Sequence, residues 1–139
     1  MESYTWSKLE RAILGAIILE GKAIEEIHDF LNADDFSDPL HKVIYQTVCK
    51  IYEKGLPVDS LLVTRDLDSI DPKILLLPND FNITHYIHDL TNNVANSANL
   101  KFHAAILIEK WMKRKHIEIG TNLSDRGYVI DNGAIRFHG

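Results

Sequence analysis

Between Leu9 and Leu19 apolar residues fall at Leu9, Ala12, Ile13, Leu14, Ala16, Ile17, Ile18 and Leu19, covering more than one face of a helix, with Gly15 and Ala16 small at its middle. Ser7, three residues before Glu10, predicts a capping box in which Glu10 reaches back to the helix start, and Gly21 predicts a left-handed stop. The run is too short to cross a bilayer, so it is expected at the centre of an all-helical bundle.

The helical period resumes from Ala23 to Leu31 with Ile24, Ile27, Phe30 and Leu31, and residues 32–36 read as a turn. Asp38 then predicts an N-cap with Pro39 at the first helical position, where its missing amide costs nothing. Leu40, Val43, Ile44, Val48, Ile51 and Tyr52 form the buried stripe of that helix, which Gly55 ends before Pro57. A short helix after Asp59 carries Leu61, Leu62 and Leu67. From Ser69 to Asn82, Asp71-Pro72 and Pro78-Asn79-Asp80 bracket Ile74 to Leu77, which reads as a loop packing its leucines because a lone strand has no partner. Thr84 is expected to cap a helix to about Asn92 bearing Tyr86, Ile87 and Leu90.

Ser97 or Asn96 opens the longest helix, about 98 to 123. One face carries Leu100, Ala104, Leu107 and Trp111, another Ala105, Ile108, Met112 and Ile119. Two apolar faces ask for two partners: the bundle, and a second helix or another subunit. The pattern as a whole predicts an all-α chain, an orthogonal bundle of about six helices over residues 1–123. Residues 124–139, with Gly127, Gly133 and Gly139, read as an irregular tail or the truncated start of a further helix.

A length of 139 residues fits one domain with a real core. The N-terminus has no basic flank or cleavage site, and the single Cys49 cannot form an internal disulfide, so a cytoplasmic location with Cys49 as core filling is expected. Net charge is -5, unevenly spread: residues 1–99 hold 8 Lys/Arg against 16 Asp/Glu, and residues 100–139 hold 7 against 4. Most of the surface should therefore repel nucleic acid. The basic run Lys110, Lys113, Arg114 and Lys115 around Trp111 is the candidate for weak nucleic-acid contact, set against its ordinary role of favouring a helix C-terminus.

His85 and His88 stand three apart with Asp89 adjacent, but no His-Glu-x-x-His helix or Cys pair completes a metal set, so partly exposed helix histidines are the better reading. His28, His41 and His103 have acidic neighbours in sequence and no accompanying nucleophile motif. Asp34-Asp35 and Asp66/Asp68 read as turn and cap carboxylates. No Gly-Lys-Ser/Thr phosphate loop occurs, so the chain alone should not hydrolyse ATP. No catalytic, cofactor-binding or metal residue is assigned.

The order of these segments resembles the N-terminal domain of DnaB-type replicative DNA helicases. Leu9 to Leu19 is similar to that family's first helix, with Glu10 and Leu14-Gly15. Asp34-Asp35-Phe36, His41 and Ile44-Tyr45 are similar to its Asp-Phe…His…Ile-Phe segment, and Gly55-Leu56-Pro57-Val58-Asp59 with Val63-Thr64 and Leu67 to its Gly-x-Pro-Ile-Asp segment. Asn96, Ala98, Asn99, His103-Ala104, Ile106 and Arg114 are similar to its long helix. The matches run from about Ser7 to Arg114. Three departures stand out: the Pro78-Asn79-Asp80 loop replaces a Gly-Gly, His103 stands where Tyr is common, and nothing after about Val129 resembles the second hairpin helix, linker and motor.

The resemblance implies a helical collar on which primase and loader proteins act, with the long helix as half of a dimerising hairpin, in a hexamer built as a trimer of dimers. It also implies that the full-length helicase is an ATP-dependent enzyme whose ATP and Mg belong to a motor domain outside this chain; the chain itself is expected to need no cofactor. Self-association is expected as a dimer through Leu107, Ile108, Trp111 and Met112. The alternative is a stand-alone helical adaptor or regulator that binds a replication protein.

Overall fold

The computed structural model describes residues 2–119, 128–131 and 134–137, with side chains from 7 to 115. Five α-helices form the bundle: α1 (Glu2–Leu19), α2 (Pro39–Glu53), α3 (Ser60–Asp68), α4 (Ile83–Asn92) and α5 (Leu100–Ile119). Two 3-10 turns, Gly21–Glu26 and Ala33–Asp35, link α1 to α2. The expected all-helical bundle is thus realised. α1 lies at its centre, packed most extensively on α4 and α5 and also touching α2 and α3. Ile13, Leu14, Ile17, Ile24, Ile27, Phe36, Ile44, Tyr45, Val48 and Ile51 form the fully buried middle of one core.

Local signals set most boundaries. Asp38 accepts the Leu40 amide at 2.8 Å with Pro39 leading α2, and Asp59 accepts the Leu62 amide at 2.8 Å to start α3. Such caps each contribute about 1 kcal/mol. Gly55, at φ +75°, closes α2 in the left-handed region. Asn82, rather than Thr84, caps α4 by accepting the His85 amide at 3.0 Å. Ahead of α5, Asn96 accepts the Ala98 amide at 2.9 Å.

Four expectations are corrected. The first helix begins at Glu2, not after Ser7, and Glu10 lies inside it with its side chain drawn to a distant segment. Gly21 is not left-handed; a side chain there would collide with the Val58 carbonyl, so its smallness serves close packing. Residues 21–26 form the 3-10 turn and 27–31 further hydrogen-bonded turns instead of one α-helix, although Ile24, Ile27 and Leu31 still face inward. In the tail, where an irregular segment or a helix start was expected, β1 (Tyr128–Asp131) pairs antiparallel with β2 (Ala134–Phe137), with Asp131 opposite Ala134. The intervening sequence is Asn132-Gly133, the dipeptide most favoured between two hairpin strands. The expected end of the long helix at Leu123 falls outside the described residues.

Residues 69–82 form the expected loop. Its apolar run divides: Leu75 is buried and Leu77 half-buried, while Ile74 and Leu76 face outward, Leu76 with φ +56°. No helix among the described residues is long and apolar enough to cross a membrane.

Candidate interaction groove

The centre of the bundle holds a polar cluster that local sequence did not reveal. The Glu10 carboxylate, fully buried, takes the Ser37 amide at 2.8 Å, the Ser37 hydroxyl at 2.6 Å and the Asp38 amide at 3.3 Å. It also faces His41 Nδ1 at 2.7 Å, and His41 is itself fully buried. A carboxylate only accepts, so Nδ1 carries a proton and donates to it. On the other side of the ring, Nε2 meets the Tyr86 hydroxyl at 2.6 Å. The chain Glu10–His41–Tyr86 thereby ties α1, α2 and α4 together, with a partner for each polar group.

Burial pushes the Glu10 carboxyl up, but the hydrogen bonds from His41 and Ser37, with the His41 charge, outweigh it and hold the group below its ordinary value. Tyr86 moves the other way. Burial lifts its hydroxyl to about 12, the Asp38 charge adds to this, Arg11 opposes it, and Glu10 adds further. The Tyr86 hydroxyl therefore stays protonated at neutral pH. The cluster is a fastening and not a reaction centre, because Glu10 and His41 have no exposed surface on which a substrate could sit.

Tyr86 is only half-buried, and its outer side contributes to a recess between α1 and α4. The recess measures about 370 Å³ and is lined by Lys8, Arg11 and Ala12 of α1, and by Tyr86, Asp89, Leu90, Asn93 and Val94 of α4 and the turn after it. It exists because the helices approach unevenly. At Gly15, where a side chain would collide with the Leu90 carbonyl, they touch backbone to backbone. Leu90 is buried, Ala12 and Val94 are half-buried, and Lys8 and Arg11 are exposed. Neither cation is in an ion pair among the described residues, and Asp89 across the recess lies 3.3 Å from the exposed His85 ring.

Elsewhere the residues singled out by sequence fall as follows. His85 and His88 are exposed on α4, His88 beside the Asn92 amide at 2.9 Å, and no metal-holding group of three ligands exists among the described residues. His28 bonds Glu53 at 3.0 Å and lies against the Tyr52 ring, and His103 is half-buried on α5. Cys49 is half-buried, and burial pushes its thiol up to about 11. Lys113 pairs with Glu109 at 3.4 Å, while Lys110, Arg114 and Lys115 are half-exposed and all three are engaged within the chain. The self-association residues require correction: Leu107, Ile108, Trp111 and Met112 are all buried within a single chain. α1 and both 3-10 turns lie against α5, and of its second apolar face Ile108 and Met112 are buried while Ala105 is exposed. What α5 shows to solvent instead is Lys101, Phe102, Ala105 and Glu109, with Phe102 68% exposed.

Residues 4–109 match the family described as DnaB-like helicase N terminal domain. The chain is 36% identical over 121 residues to the replicative DNA helicase DnaB of Rhodothermus marinus, covering 87% of this chain and 12% of that protein. It is 33% identical over 123 residues to the replicative DNA helicase DnaC of Bacillus subtilis, covering 88% and 26%. Among solved structures, the N-terminal domain of DnaB helicase from Mycobacterium tuberculosis superposes with a TM-score of 0.68 at 30% identity, covering 84% of this chain and 80% of that one. A DnaB-like replicative helicase, described with its interactions with primase, gives 0.66 at 28% identity, covering 84% and 26%. The chain thus spans about a quarter or less of the helicases it matches.

Proposed function

This chain belongs to the family of DnaB-like helicase N-terminal domains, and from that membership we propose that it acts as the interaction scaffold of a replicative DNA helicase, receiving primase and a loader and supporting ring assembly. The observation that carries the reading is the α1–α4 recess: a solvent-facing hollow on two helices fastened by the buried Glu10–His41–Tyr86 chain. Rigid elements around a concave, half-apolar surface suit binding, while the titratable cluster beneath is closed to substrate. The interaction with primase described for a solved relative supports the same partner class. ATP and Mg use belongs to a motor domain elsewhere in the longer protein, and action in the cytoplasm follows from that role. Homo-oligomer formation, as a dimer here and a hexamer in the full helicase, is part of the same proposal and would use surface that the fold leaves exposed.

Titration of the chain with the C-terminal domain of its cognate primase, followed by calorimetry, tests the proposal. Saturable binding in the micromolar range is the expected result. Absence of binding both to this chain and to the full helicase that contains it would overturn the reading.

A further inference from the structure

Lys8 and Arg11 stand three residues apart on α1, which places them on one face of the helix. They form one wall of the α1–α4 recess, yet neither has a carboxylate partner among the described residues. Their setting runs against the charge of the chain, because residues 1–99 hold 16 Asp/Glu against 8 Lys/Arg. The acid opposite them, Asp89, forms no ion pair with either cation and lies 3.3 Å from the exposed His85 ring. Beside the two cations the lining turns apolar at Ala12, Leu90 and Val94.

Resting on the reading of this domain as an interaction scaffold, we infer that the recess receives an acidic side chain of a partner protein, an Asp or Glu held by Lys8 and Arg11, with a neighbouring apolar side chain seated on Ala12, Leu90 and Val94. The size agrees, since about 370 Å³ holds a few side chains and not a duplex. The charge pattern agrees as well. Two cations among surplus acids attract a single carboxylate at short range, whereas a nucleic acid would bring many phosphates against the acidic remainder. The wall opposite is pre-set, because Tyr86 is held from behind by His41 at 2.6 Å, so that side of the recess needs little ordering on binding.

The experiment uses the isotope-labelled chain and two blocked peptides, acetyl-Leu-Glu-Leu-amide and acetyl-Leu-Gln-Leu-amide, with backbone amide shifts as the readout. The Glu peptide is expected to shift the amides around Lys8, Arg11, Ala12, Leu90 and Val94, saturating in the millimolar range, and the Gln peptide to bind roughly fivefold more weakly or worse. The K8E/R11E chain should lose the difference between the peptides, and K8Q/R11Q should reduce it; both sites are exposed, so the fold is retained and the spectrum itself verifies this. Equal affinity for the two peptides, shifts at another surface, no shifts, an unaltered response in K8E/R11E, or a response only to a single-stranded oligonucleotide would each overturn the inference. Primase binding that ignores K8E/R11E would overturn the acidic site alone. Peptide discrimination without primase binding would leave the site standing and remove the primase reading.

Discussion

Gly15 lies against the carbonyl of Leu90, and the hydrogen it carries in place of a methyl group is what allows α4 to rest on α1. The obstacle to any side chain is backbone, which cannot swing aside as a flexible side chain would. Gly15→Ala is therefore expected to displace α4 and destabilise the chain by about 1–3 kcal/mol, despite the better helix propensity of alanine. A urea melt showing no loss would mean that α4 yields without strain.

Removing both members of the buried pair should cost less than the two single losses added together. Glu10→Ala is expected to cost about 3–5 kcal/mol, since His41, Ser37 and the Asp38 amide lose their common acceptor. Combined with His41→Leu, the loss should be smaller than the sum of the single changes. Simple additivity in a double-mutant cycle would show that the two side chains do not act together.

The same carboxylate sets an acid limit. Its pKa in the fold is depressed below the ordinary 4.5, so its contribution to stability is complete above about pH 4.5 and fades as the pH falls through the lower folded-state value. Wild-type stability measured from pH 6 downward should fall in that acid window, while Glu10→Gln, weaker throughout, should lack that part of the slope. Parallel curves would assign the acid loss to other carboxylates.

Trp111 and Phe102 separate core from surface on α5. Trp111→Ala is expected to cost about 3–5 kcal/mol with no dependence on protein concentration, because the indole is buried within the chain. Phe102→Ala should change the stability of the isolated chain by under about 0.5 kcal/mol. Sedimentation run beside the melts gives the second readout: any self-association should respond to Phe102→Ala while Trp111→Ala leaves it intact in the folded fraction.

Features written in neighbouring residues were legible in the sequence. The Asp38-Pro39 start, the Asp59 cap and the Gly55 stop each depend on contacts within four positions. The role of Glu10 is not legible locally, because Ser7-x-x-Glu10 is a sound capping pattern while the partners of Glu10 lie 27 to 31 positions away. The recess was hidden for a related reason, since Lys8 and Tyr86 come to line one hollow only once α1 and α4 are packed. The second face of α5 pointed correctly to a missing partner but not to where it lay, in the chain's own first helix and 3-10 turns. Asn132-Gly133 did carry a local signal for the strand pair, and the scarcity of periodicity around it obscured that signal.

Ser37 lies in the link before α2, where an exposed residue would ordinarily surrender its amide hydrogen to solvent within moments. Its amide is instead bonded to a carboxylate that belongs to the central helix. Exchange at this peripheral site therefore requires the link to part from α1, which makes it slower than the exposed loop hydrogens around it. In a spectrum of the deuterated chain, a single late-fading serine signal would report whether the centre of the domain is closed.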